Sequence, residues 1–108
     1  VKPTDLSAKG EIEDLYQFIS KFELSMLLNI AGLGASGQII DSDIEVYERM
    51  VDVNIRATMM LSQLFVKDYS DKAVQLINVS SAVGYLVAEN NVVYSASSMH
   101  LLKGLPMK

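Results

Sequence analysis

The chain contains no cysteine. Disulfide frameworks and thiolate metal sites are therefore excluded. A single histidine, His100, cannot assemble a histidine cluster alone, so no metal site is expected. Lysine and arginine total 9 against 13 acidic residues, a net charge of −4, and the charges are interspersed rather than blocked. Without a basic stripe, binding to a nucleic-acid backbone has no electrostatic support. No apolar run approaches the ~20 residues of a membrane span, and no membrane partner is expected. Only two prolines occur, with no Pro-rich linker, internal repeat or low-complexity tract. No signal-peptide pattern opens the chain, and the cytoplasm is the expected compartment.

What is present has an ordinary globular balance: half the residues are apolar and a fifth are charged. The 108 residues are enough for one modest domain and are read as a single unit, 1–108. Val1 to Leu6 reads as the tail of a strand. Ser7 is suited to cap a helix, because its hydroxyl can accept a free first-turn N–H. Ile12, Leu15, Ile19 and Phe22 then recur at helical spacing, opposite a polar face, and predict a surface helix. Leu24 to Ala31 is a short apolar run consistent with a strand buried on both faces. Gly32, Gly34 and Gly37 form a loop. Ser42 and Glu45 have capping-box spacing, and helix is predicted from there to about Tyr69, broken near Asp52. Its second half, through Met59, Leu61, Phe65 and Val66, is apolar enough to bury one face on a sheet and another on a neighbour. Ala73 to Val79 is a second apolar strand. Ser80 to Asn90 is loop, and a last helix runs from Asn91 to about Gly104, with Gly104 and Pro106 as stop signals. Strands alternating with helices predict an α/β fold with a parallel sheet.

Several short pieces carry more than secondary structure. They are Asp5-Leu6, Asn29-Ile30-Ala31-Gly32, Asn54, Asn78-Val79-Ser80-Ser81 with Gly84, and Tyr94-Ser95-Ala96-Ser97, with Tyr94 13 residues after Ser81. In this order and spacing the chain resembles the middle of a short-chain dehydrogenase/reductase. The resemblance implies a partial doubly wound, Rossmann-like parallel sheet in a three-layer αβα arrangement. It implies NAD or NADP as cofactor and a small alcohol or carbonyl compound as substrate.

The resemblance also assigns roles. Tyr94 matches the catalytic acid/base, which exchanges a proton with the substrate oxygen. Ser81 matches the serine that orients that oxygen. Asn54 matches an asparagine holding a water in a proton relay. Asp5, Asn29, Ala31 and Gly32 match the cofactor-binding positions. Each has a plainer reading beside it. Asp5 is also a helix-start acid favoured by the dipole. Asn29, Ala31 and Gly32 also form a simple strand-to-loop turn. Asn54 is also a core amide bonding local backbone. Ser80 and Ser81 also cap the loop after a strand.

Two departures stand out. The family places a lysine four residues after the tyrosine, on the same helix face, where its charge favours the phenolate. Position 98 is serine here. Lys103 would lie ~13 Å along the helix and on its opposite face, so it cannot substitute. The glycine-rich turn that cradles a pyrophosphate is also missing, since Gly32, Gly34 and Gly37 follow the wrong strand. Oxidoreductase activity is therefore expected to be lost or reduced. A two-stranded parallel sheet with bare edges would need covering. The resemblance implies a homo-oligomer through the helices at 54–69 and 91–104, the elements that the family commonly uses for its dimer interface. The alternatives are a non-catalytic, truncated relative serving as an oligomerisation or interaction module, and an unrelated α/β domain.

Overall fold

The computed structural model describes residues 1–34, 37, 39–81, 93, 94, 96 and 97. Helix α1, Lys9–Ile19, is followed by strand β1, Met26–Asn29, and a 3₁₀ turn at Ile39–Asp41. Helix α2, Ile44–Val51, runs through a π-helical turn, Asp52–Ala57, into helix α3, Thr58–Tyr69. Strand β2, Gln75–Asn78, pairs parallel to β1 with Met26 opposite Gln75 and Asn29 opposite Asn78. Val93, Tyr94, Ala96 and Ser97 are helical. The rest of the helix expected at 91–104, and Gly84, Ser98, Lys103, Gly104 and Pro106, lie outside the described residues.

No strand forms over Val1 to Leu6; the segment is irregular and closes in a turn, Ala8 N–H to the Asp5 carbonyl at 3.1 Å. Ser7 is not the cap of α1. Ala8 holds that position with no side-chain bond. Ser7 instead turns back, its N–H and Oγ donating to Asp5 Oδ1 at 3.0 and 2.6 Å, because a nearby carboxylate is the stronger acceptor. The same shift occurs at α2, where Asp43 rather than Ser42 stands at the N-cap. Phe22 falls beyond the end of α1 and is 58 % exposed, edge-on to Phe18.

The core lies between the helices and one sheet face. Ile12 and Tyr16 of α1 meet Ala57, Leu61, Phe65 and Tyr69, with Leu27 and Leu76 packed on from the strands. Alternation along the strands sends Met26, Leu28 and Ile77 to the other face, where Leu28 is 48 % exposed. The expected burial on both strand faces is therefore not met, because no second helix layer covers this face among the described residues. Met59 and Val66 on α3 are likewise exposed, so the second face, expected to bury on a neighbour, has no cover among the described residues. No helix among the described residues is long and apolar enough to cross a membrane.

One core contact titrates. The Tyr16 hydroxyl donates to Asp68 Oδ2 at 2.6 Å, with the Leu64 carbonyl at 3.0 Å beside it. Burial first, and Asp68 second, raise its pKa above the ordinary phenol value. The fold therefore holds Tyr16 neutral. Its contribution is complete below the unfolded tyrosine value of about 10 and is lost as pH rises beyond it. Urea midpoints measured from pH 8 to 11.5 should fall more steeply in the native chain than in Tyr16→Phe. Equal slopes would show that Tyr16 does not govern the alkaline limb.

Candidate active site

Both strands end in asparagine at the same register, Asn29 opposite Asn78. Asn29 is buried, and its Nδ2 donates to Asn78 Oδ1 at 2.8 Å and to Ser62 Oγ of α3 at 3.1 Å. Both amide hydrogens are used, so this side chain ties the two strands to the helix layer and faces inward. Ala31 and Gly32 follow β1 with their surfaces open to solvent. A Cβ built on Gly32 would stand 3.6 Å from Asn54 Oδ1, an ordinary contact, so Gly32 is not required by crowding.

The break expected near Asp52 is the π-helical turn, which inserts an extra residue per turn and re-aims the side chains it carries. Arg56 braces it, pairing with Asp52 Oδ1 at 3.1 Å and donating through Nη2 to the Ser7 carbonyl. Asn54 lies inside the turn and is 4 % exposed. Its Oδ1 accepts the Leu33 N–H at 2.8 Å and its Nδ2 donates to the Leu33 carbonyl at 2.8 Å. The second Nδ2 hydrogen goes to Ser97 Oγ at 3.0 Å, and Ser97 Oγ donates to the Tyr94 carbonyl at 2.9 Å. The amide thus clamps the loop after β1 and reaches the turn that carries Tyr94.

Tyr94 and Ser81 are both half-buried, Ser81 three residues past the end of β2. Asp5 is exposed, and the two hydrogen bonds from Ser7 hold its carboxyl below the ordinary carboxylate range. It is an ionised acceptor at neutral pH. A cavity of about 260 Å³ lies beside β1, lined by apolar side chains including Leu6, Leu27 and Val53, together with Asn29 and Ala31. No group of acids and histidines able to hold a metal occurs among the described residues.

The structure therefore links Asn54 to Tyr94, places Asn29 beneath the strand ends, and leaves Ala31, Gly32 and Asp5 open to solvent. Sequence reasoning gave no role to Leu33, Ser62, Asn78 or Ser97, although Asn78 and Ser97 stand in the motifs quoted above. Only Asn78 carried a signal: Leu-Leu-Asn-Ile and Leu-Ile-Asn-Val end the two strands alike.

A family model for the short chain dehydrogenases matches residues 1–103. An uncharacterised oxidoreductase of Staphylococcus aureus strain USA300 is 30 % identical over 100 residues, covering 90 % of this chain and 43 % of that protein. An uncharacterised oxidoreductase of Staphylococcus saprophyticus is 32 % identical over 96 residues, covering 86 % of this chain and 41 % of that protein. The chain thus spans less than half the length of these relatives. Among solved structures, a 4-hydroxyisoleucine dehydrogenase complexed with NADH and succinate superposes with a TM-score of 0.88 at 24 % identity, covering 94 % of this chain and 50 % of that one. A 7β-hydroxysteroid dehydrogenase superposes at 0.86 with 25 % identity, covering 93 % of this chain and 40 % of that one. The parallel pair of strands, with its helices on one face, is accordingly part of a Rossmann-like α/β fold, and the chain belongs to the short-chain dehydrogenase family.

Proposed function

We propose that the chain is the central segment of an NAD(P)-dependent oxidoreductase acting on an alcohol or carbonyl compound, with its proton transfer weakened by the serine at position 98. The observation that carries this reading is the bond chain from Leu33 through Asn54 and Ser97 to Tyr94, within a segment matched to the family over residues 1–103. The staphylococcal relatives are described as oxidoreductases. A 4-hydroxyisoleucine dehydrogenase was solved with NADH and a short-chain dehydrogenase of Sphingobium yanoikuyae with NADPH, which supports a nicotinamide cofactor of either kind.

The residues present fit such a cofactor. Ala31 and Gly32 offer open backbone just past a parallel strand, where doubly wound sheets take their ligands. Asp5 offers an ionised acceptor one residue from Leu6, which shares a cavity wall with Ala31. Asp5, Ala31 and Gly32 would hold it, and Asn29 would support them from beneath. When bound, the nicotinamide supplies or accepts the hydride. Tyr94 would exchange the accompanying proton with the substrate oxygen, and the Ser81 hydroxyl would donate to that same oxygen. Asn54 has both amide hydrogens committed, so only a second lone pair on Oδ1 remains to receive a water.

A second reading, a non-catalytic oligomerisation or interaction module, is favoured by the exposed apolar sheet face and by the cavity at the β1 flank. Its partner would be a second copy of the chain, joined through the helices at 54–69 and 91–104, where Met59 and Val66 are exposed. Cofactor-dependent melting separates the two. NADH or NADPH at 100 times its dissociation constant should stabilise the protein by about 2.7 kcal/mol. No shift with either would sink the enzymatic reading and leave the interaction module.

A further inference from the structure

Among the described residues Ser97 is the least exposed of the buried polar side chains, at 1 %. Nothing in its run of small residues marks it out. Its hydroxyl has one hydrogen, which it donates to the Tyr94 carbonyl at 2.9 Å. Its lone pair receives Asn54 Nδ2 at 3.0 Å. Asn54 is in turn fixed on Leu33 by a pair of bonds of 2.8 Å, so the amide has a single orientation. Every donor in this sequence of groups is matched to an acceptor, and each bond polarises the next. A serine bonding back three residues also bears on the local course of its own helix.

We propose that Ser97 is a positioning residue for Tyr94: its hydroxyl couples Asn54 of the π-helical turn to the Tyr94 carbonyl and so sets where the phenol stands relative to the loop after β1. The proposal rests on Tyr94 as the proton-transferring group, although the coupling can be read separately from turnover. Alanine at position 97 strands one Asn54 hydrogen and releases the Tyr94 carbonyl. Cysteine keeps the side-chain shape while weakening both bonds. Threonine keeps the hydroxyl.

The test uses the full chain with labelled tyrosine rings and backbone amides, read by NMR. In Ser97→Ala and Ser97→Cys the Leu33 amide should exchange about tenfold faster, since its acceptor is no longer braced. The Tyr94 ring resonance should move while the other four of the five tyrosines stay in place. Ser97→Thr should restore both signals. Native values for Leu33 and Tyr94 in both the alanine and cysteine variants would overturn the proposal and leave Ser97 a packing residue. In the same variants turnover should fall about tenfold with KM unchanged, as expected for a displaced reacting group. Undiminished turnover in Tyr94→Phe would refute the role of Tyr94 itself, while the two NMR signals would still decide the coupling.

Discussion

Phe65→Ala is expected to lower stability by about 3–5 kcal/mol, the range for deleting a large aromatic ring from a core. Phe65 is 1 % exposed at the centre of the cluster formed by α1, the π-helical turn and α3. Its ring stacks on Tyr69 with centroids 5.0 Å apart. Tyr69 in turn receives the Leu24 N–H through its hydroxyl, at 3.2 Å, just before β1 begins. The ring therefore supports both the helix pair and the entry of the first strand. The loss compares with a total of about 5–15 kcal/mol for a typical domain, so the variant should be largely unfolded at moderate temperature. Phe65→Leu, which keeps most of the volume, should retain most of the stability. Urea unfolding followed by circular dichroism reads both variants. A loss below about 1 kcal/mol for the alanine variant would place the core elsewhere.

The second large effect is on chemistry. A free phenol in water, with a pKa near 10, is ionised in only about one molecule in 10³ at pH 7. An ammonium at about 5 Å and an effective dielectric constant of about 20 favours the phenolate by roughly 3 kcal/mol, or about two pKa units. Tyr94 lies in helical residues, and in a regular helix a side chain four positions later shares the face of the first. Ser98→Lys is therefore expected to raise turnover at neutral pH by up to about 10²-fold, in proportion to the phenolate gained. The pH–rate profile should move toward lower pH with it.

The parallel pair of strands was legible because apolar runs alternate with amphipathic helices. Both strands proved shorter than their runs, four residues each. Their composition suits burial on two faces, yet Leu28 and Ile77 have no cover among the described residues. A run reports the burial it is suited to and not what covers it. The helix starts were misplaced by one residue for an electrostatic reason at α1, where Asp5 captured Ser7. Asn54 was legible as an unusual amide, and the break beside it as a break. Its partners were not, because a π-helical turn changes the phase by which i and i+4 are counted, and because Leu33 bonds through its backbone. Ser97 was hidden among neighbours of its own kind.

The central claim is that Tyr94 is the proton-transferring group of a short-chain dehydrogenase and that it is held back by the missing ammonium. Steady-state turnover of the full-length protein carrying Ser98→Lys, with and without Tyr94→Phe, tests it most directly. The account predicts a gain from lysine when Tyr94 is present and none when it is phenylalanine. An equal gain in both backgrounds, or no gain in either, would contradict it.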